Sequence, residues 1–323
     1  MGNFTIRFWG VRGSYPIPGA QSVRFGGNTS CVELNIGNRR LIIDGGTGII
    51  GLGNQMLKES FAAKKAINTT ILFSHMHHDH NQGFPFFKPA FIDSTTLHIF
   101  GPRSFQMDFD KVLAGILQPP FFPVELSEMR SKKFISNISE NDILLMSAVN
   151  DTVPRLHTTH LDKSTIASDD ILVEVLKSFA HPKGGTLFFK VSYKDYSMVF
   201  ASDTEGYLWD DQKLINFAKN ADVLIHDAQY TTEDYIGQNG FSRQGFGHST
   251  PEIAIEVAKK ANVKQLVLFH HDPEYSDEKI ALIEAHSRMK HPDCIAAYEG
   301  LSIDLTKGFS KLKRVQIKGI NTI

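Results

Sequence analysis

Hydrophobic residues fall along most of this chain in short runs that read as strands. Phe4, Ile6 and Phe8 alternate with Thr5, Arg7 and Trp9, which predicts a strand with one buried face. A stretch punctuated by Gly and Pro at 10–19 forbids regular structure, and Gly26-Gly27-Asn28-Thr29-Ser30 forms a turn before a second strand over 31–36. Arg39 and Arg40 are placed at a hairpin that leads into the buried strand Leu41-Ile42-Ile43, which stops at Asp44. Further apolar runs predict strands over 71–74, 95–100, 186–193, 197–201, 223–225, 265–269 and 301–305. Helical signals are fewer, over 214–219 and 276–289. Thr250 followed by Pro251 and Glu252 is the start signal of a third helix, running to Lys260 with Ile253, Val257 and Ala261 on its buried face.

Residues 101–178 carry the weakest pattern. Gln118-Pro119-Pro120-Phe121-Phe122-Pro123 reads as a rigid apolar connector and 161–170 as a polar loop. We expect one domain over 1–323, with this segment as an insertion or variable region serving as a lid, arm or dimer contact. No repeat of domain length and no low-complexity linker interrupts the chain.

One apolar run ends in chemistry. Ile71-Leu72-Phe73-Ser74 passes into His75-Met76-His77-His78-Asp79-His80, four histidines and an aspartate within six residues. Imidazoles with a carboxylate are the donors a divalent transition metal requires. A purification tag would be terminal and homopolymeric, and this tract is neither. On an extended chain His75 and His77 point the same way, and a turn into helix would then present Asp79 and His80. His78 is expected to face away. The aromatic stretch that follows, Phe84-Pro85-Phe86-Phe87, would either stack a planar ligand or anchor a loop.

Gly46-Thr47-Gly48-Ile49-Ile50-Gly51 matches GxGxxG after a strand. A dinucleotide site also needs an acid at the end of the next strand. That place is taken by Ser74-His75-Met76-His77, so the glycines are read as a tight strand-to-helix turn.

His or Asp recurs just after short apolar strands, at Asp44, His75, Asp203, His226-Asp227 and His270. A lone polar residue there is usually a hydrogen-bonded structural group. Repetition points instead to a site on one sheet edge. Counting donors gives His75, His77 and His181 for one metal and Asp79, His80 and His270 for a second, with Asp203 between them. Two metals about 3.5 to 4 Å apart activate a bridging water and clamp both oxygens of an in-line displacement. Zinc suits this set, and manganese or iron also fits it. His157 and His160 lie in polar surroundings and are left out. His248, in Gly245-Phe246-Gly247-His248-Ser249-Thr250, could protonate a leaving alkoxide, a role worth roughly 10² to 10⁴ in rate, with Asp227 orienting it. A histidine bonding locally at a helix start is the competing reading, and the residues alone leave both open.

Composition narrows the function. The 323 residues carry 34 Lys and Arg against 35 Asp and Glu, a formal charge of -1, which disfavours a broad nucleic-acid footprint. Cys31 and Cys294 are too few for a disulfide framework or a cysteine metal site. No apolar run approaches the ~20 residues of a membrane span, and the amino-terminal strand is not a signal peptide. A cytoplasmic protein with no membrane association is therefore expected.

The His75-Met76-His77-His78-Asp79-His80 run is similar to the HxHxDH signature of the metallo-β-lactamase superfamily. His181, Asp203 and His270 fall in the order of that superfamily's remaining ligand motifs. The resemblance implies an α/β fold, a four-layered αββα sandwich, holding two divalent ions. Gly247-His248-Ser249-Thr250 and His226-Asp227-Ala228 resemble motifs of the phosphodiesterase branch that includes ribonuclease Z and cyclic-nucleotide phosphodiesterases, although ribonuclease Z has Glu where Asp227 stands. Gly10-Val11-Arg12-Gly13-Ser14 and Gly26-Gly27-Asn28-Thr29-Ser30 resemble a bacterial group in the same superfamily with mostly unassigned substrates. The implied activity is hydrolysis of a small phosphodiester, such as a 3′,5′-cyclic nucleotide, by a metal-bridged hydroxide. His248, Asp227 and Asp79 are then the catalytic residues, and a homodimer is the implied assembly. The alternatives are a tRNA 3′-end endonuclease, a thioester or lactone hydrolase lacking any need for His248, and a non-enzymatic metal-stabilised binding protein.

Overall fold

The computed structural model describes residues 2–104, 106–150, 153–158, 166–206, 211–238 and 240–308. The chain opens with β1 (Phe4–Gly10), β2 (Cys31–Ile36) and β3 (Arg39–Ile43). It continues through α1 (Gly48–Ala63), β4 (Asn68–Leu72), the single turn α2 (His78–Asn81), β5 (Thr96–Gly101), α3 (Phe109–Gly115) and β6 (Lys132–Asn137). A second series follows: β7 (Ile143–Ser147), β8 (Arg155–His157), β9 (Asp170–Ser178), β10 (Thr186–Tyr193), β11 (Tyr196–Ala201), α4 (Gln212–Phe217) and β12 (Val223–Asp227). After α5 (Thr232–Ile236), α6 (Pro251–Lys260), β13 (Gln265–Phe269), α7 (Asp277–Lys290) and β14 (Cys294–Ala296), β15 (Ser302–Asp304) returns to the first series.

Two mixed sheets result, in the orders β15-β1-β2-β3-β4-β5-β6 and β14-β13-β12-β11-β10-β9-β7-β8. In each, antiparallel strands lie to one side and parallel strands to the other, with β3 to β6 and β11 to β14 running parallel. Side chains of successive strand residues alternate between faces. Leu41 and Ile43 accordingly join the core between the sheets with Phe4, Ile6, Phe8 and Phe269, while Ile42 joins the outer cluster under Ile49, Leu52 and Met56 of α1. On the second sheet Val199, Leu224 and Leu266 point outward beneath Leu214 of α4 and Ala254 and Ala258 of α6. Each sheet is thus buried on both faces, which is why its parallel strands read as continuous apolar runs. The layers are helix, sheet, sheet, helix, the expected αββα sandwich.

Local signals explain the elements that were predicted. Thr250 caps α6, its side chain accepting from the Ile253 amide with Pro251 in the first turn, and Ser276 caps α7 in the same way. Arg39 and Arg40 lie within β3, because the turn is made by Gly37 and Asn38, with Gly37 in the left-handed region at φ 56°. Segment 101–178, expected as an insertion, contributes α3, one edge of the first sheet and β7, β8 and β9 of the second. Its exposed strands, such as β6 with no fully buried residue, lack the apolar alternation that makes a strand legible. Ile253 is only half-buried, and Ala254, Ile255 and Ala258 share the buried face of α6 with Val257 and Ala261. Phe84 and Phe87 are core residues and Phe86 is exposed, so the aromatic stretch is mainly an anchor. Among the described residues no helix is long and apolar enough to cross a membrane.

Candidate metal centre

The parallel strands β3, β4, β11, β12 and β13 deliver their carboxyl ends to one edge of the sandwich, the usual location of α/β sites. Three residues just beyond them, Asp44, Asp203 and His270, have positive φ of 63°, 59° and 63°. Such conformations are uncommon outside glycine and cluster where side chains must be aimed against local preference. Here they turn the side chains back across the sheet edge. His75 and His77 follow β4 on extended chain, and α2 then presents Asp79 and His80. His181 arrives from the connection between β9 and β10.

All seven side chains singled out in the sequence meet. His75, His77 and His181 form one group and Asp79, His80, Asp203 and His270 another, each with donor atoms within 4.8 Å of one another. Asp203 reaches both. Its Oδ1 lies 3.8 Å from His75 Nε2, 3.7 Å from His181 Nε2 and 3.3 Å from His270 Nε2, and its Oδ2 lies 3.1 Å from His80 Nε2. Asp79 Oδ2 stands 3.0 Å from His270 Nε2 and 3.4 Å from His80 Nε2. His78 is exposed and takes no part. His157 ends β8, outside both groups, and His160 lies outside the described residues.

The donor set fits divalent cations on its own chemistry. His75 Nε2 is buried with no hydrogen-bond partner among the described residues, a costly state for a polar atom unless something else satisfies it. Imidazole nitrogens face one another in pairs, His181 Nε2 with His77 Nδ1 at 2.9 Å and His80 Nε2 with His270 Nε2 at 3.2 Å. The outward nitrogens are held as metal-binding histidines usually are. His75 Nδ1 meets the Ser74 hydroxyl at 3.1 Å, His80 Nδ1 meets Asp44 at 2.7 Å, His181 Nδ1 meets the Gly247 carbonyl at 3.0 Å and His270 Nδ1 meets the Gln229 amide oxygen at 2.9 Å.

Burial pushes His75 well below the ordinary histidine value, and neighbouring imidazoles add to the effect. Burial likewise lowers His77 and His181. Burial alone would raise Asp203 and Asp79, but surrounding histidines hold both well below the usual carboxylate range. His80 goes up despite its burial because Asp203, Asp79 and Asp44 surround it, and His270 is pushed up to about 9 chiefly by Asp203. Donors that keep lone pairs or anions at neutral pH dominate the cluster.

His248 stands beside this group. Its Nδ1 is 2.8 Å from Asp227 Oδ2, its ring stacks on His270 with centroids 5.0 Å apart, and it meets His181 edge-on at 5.0 Å. Asp227 could itself be counted as a donor with Asp203, His248 and His270. Its oxygens, however, already accept from the Asp203, Gln229 and Ser249 amides in addition to pairing with His248, which suits an orienting role better than ligation.

Several participants were not named as site residues from the sequence. In the sequence Asp44 stands out only as a strand-end acid. Ser74, Gln229 and the Gly247 carbonyl hold ring nitrogens, and the Ser14 amide donates to Asp79 at 2.7 Å. A Cβ on Gly13 would stand 2.3 Å from His270 Nδ1, so the loop after β1 is a wall of the centre. These are contacts between distant segments with no periodic signature. The Gly46 to Gly51 run also acquires a role. The Gly45 amide donates to the His80 carbonyl, and a Cβ on Gly46 would meet the Asp79 carbonyl at 2.3 Å, so glycine there lets the turn before α1 pack against the HxHxDH loop.

Comparison with known proteins agrees with the fold. Ribonuclease Z of Picrophilus torridus is 28% identical over 311 residues, covering 88% of this chain and 91% of that protein. A metallo-beta-lactamase fold protein of Bacillus subtilis superposes with a TM-score of 0.63 at 17% identity, covering 94% of this chain and 99% of the other. The short form of human tRNase Z gives 0.58 at 18% identity, covering 93% and 98%. Residues 39–271 match the family described as the beta-lactamase superfamily domain, a span holding all seven donors together with Asp227 and His248. The chain belongs to this superfamily, with the metallo-β-lactamase fold of a metal-dependent hydrolase, and is similar in sequence to proteins named Ribonuclease Z.

Proposed function

We propose that the protein hydrolyses phosphodiesters, with two zinc ions held by His75, His77 and His181 on one side, by Asp79, His80 and His270 on the other, and by Asp203 between them. The observation that carries the reading is the Asp227–His248 pair set directly against the donors, its imidazole stacked on His270. Divalent ions in such a set supply Lewis-acid polarisation of phosphoryl oxygen and a nucleophile at neutral pH. The chain's own residues supply the rest. Hydrolysis adds water across one P–O bond, and the departing oxygen takes up a proton. In this reading His248 Nε2 delivers that proton, because Nδ1 is held by Asp227 at 2.8 Å and Nε2 is the nitrogen left for the leaving group. A thioester hydrolase, whose thiolate leaves without a proton, would need this pair least.

Two substrate sizes are in play. The formal charge of -1 favours a small phosphodiester such as a cyclic nucleotide. Relatives named Ribonuclease Z favour RNA, and with it the 3′ end of a tRNA precursor. The cytoplasm as location and a homodimer as assembly belong to the same proposal, and light scattering checks the second.

His248→Ala tests the chemistry. The variant should keep its metal content by elemental analysis. It should lose roughly 10² to 10⁴ in kcat on thymidine 5′-(phenyl phosphate), whose leaving group needs a proton, and far less on the p-nitrophenyl ester. Full activity on the phenyl ester would sink the general-acid assignment. Turnover of 3′,5′- and 2′,3′-cyclic nucleotides against cleavage of precursor tRNA by the same preparation separates the two substrate readings.

A further inference from the structure

We propose that Glu205 is a positioning residue that holds the His248 loop against the centre, an inference resting on the general-acid reading of His248. Glu205 lies two residues beyond Asp203, on the chain leaving β11. Its carboxylate gathers three donors from the connection between β12 and α6. Oε1 accepts from the Gly245 amide at 2.7 Å and the Tyr235 hydroxyl at 2.6 Å, and Oε2 accepts from the Gly247 amide at 3.0 Å. Gly245 and Gly247 have φ of 84° and 86°, a left-handed conformation open to glycine, and their amides turn toward the same anion.

The Gly247 peptide gives the contact its reach. Its amide is held by Glu205 and its carbonyl accepts from His181 Nδ1, while the next residue is His248 itself. On the far side of His248, the Ser249 hydroxyl donates to the Thr204 carbonyl at 2.6 Å. Both flanks of His248 are thus tied to residues 204 and 205, immediately after Asp203. Asp227 orients the ring, and Glu205 sets where the backbone carrying that ring can sit. Displacement of the order of 1 Å at a catalytic group can cost about 10²-fold in rate, so a carboxylate fixing this loop acts on turnover without touching substrate.

Glu205→Gln keeps the shape and one acceptor but turns an amide NH₂ toward N–H donors. We expect unchanged metal content and KM, a fall in kcat of about 10-fold to 10²-fold on thymidine 5′-(phenyl phosphate), and a smaller fall on its p-nitrophenyl ester. In the His248→Ala background the same substitution should cost nothing more. Hydrogen exchange at the Gly245 and Gly247 amides should be faster in the variant, in the metal-free protein as well as the loaded one. Wild-type kcat on the phenyl ester for Glu205→Gln, while His248→Ala is impaired, would overturn the positioning role and leave the general acid standing. Equal losses on both esters, lost metal, or a full additional loss in the double variant would also overturn it. Full activity of His248→Ala on the phenyl ester would remove the general acid and the positioning role together.

Discussion

On one side of Asp203 stand three imidazoles whose ionisation is lowered mainly by burial, their outer nitrogens held, at His75 and His181, by a hydroxyl and a peptide carbonyl. On the other side stand two imidazoles pushed up by carboxylates, with Asp79 beside them and with Asp44 and Gln229 behind. The first group includes His77, whose imidazole is partly desolvated against His181 although the residue as a whole is exposed, and draws His181 from the connection between β9 and β10, whereas the second is buried throughout. The carboxylate side is buried throughout and pairs its charges within the protein, and the imidazole side reaches solvent through His77 alone.

Asp203 is the side chain common to both halves, and Asp203→Ala should abolish the distinction. We expect the variant to bind neither ion firmly, with a loss of turnover exceeding the roughly 10- to 100-fold typical of a partner one bond removed from a metal. Elemental analysis after desalting and steady-state kinetics check this. Retention of two equivalents of metal would show that Asp203 is not shared. Chelation of the wild-type protein should cause the same loss of turnover, restored by adding zinc back.

The elements that carry the donors were far easier to read than the contacts that orient them. β13 was predicted residue for residue and α6 from its cap, because alternation, a continuous apolar run and a Thr-Pro start are local signals. The short or exposed strands β6, β8 and β14 and the five-residue helix α5 escaped, since each is specified by its neighbours in space. The same distinction applies within the centre. Donors could be counted at strand ends, and the structure brings those side chains together. The Ser14 amide, the Gly247 carbonyl and Gln229 reach their histidine and aspartate partners across the fold, at separations of 65, 66 and 41 residues, where no spacing rule operates.

A milder test acts on the buried half alone. Asp44 accepts from the Ser74 amide and hydroxyl and pairs with His80 Nδ1, so it fixes both the tautomer and the angle of that ring. Asp44→Asn preserves volume and removes the charge. Affinity for one of two ions should fall roughly 10- to 100-fold while the other stays near the wild-type value, resolved as two separating steps in a competitive chelator titration. Equal weakening of both steps would mean that the halves are not independent.

The smallest change sharpens the comparison from the other side. Ser74→Ala removes the hydroxyl that meets His75 Nδ1 at 3.1 Å but leaves the Ser74 amide on Asp44 at 2.8 Å. A neutral hydrogen bond is worth about 1 kcal/mol net, so affinity at the imidazole side should drop about fivefold. The Ser74 hydroxyl also donates to Asp44 at 2.9 Å, yet Asp44 keeps its pairing with His80, so the carboxylate side should respond less. In the same chelator titration the step that Asp44→Asn spares should be the one that moves. If Ser74→Ala instead shifts the step sensitive to Asp44, the hydroxyl belongs functionally to the buried half, and the boundary between the halves runs between His75 and Ser74 rather than through Asp203.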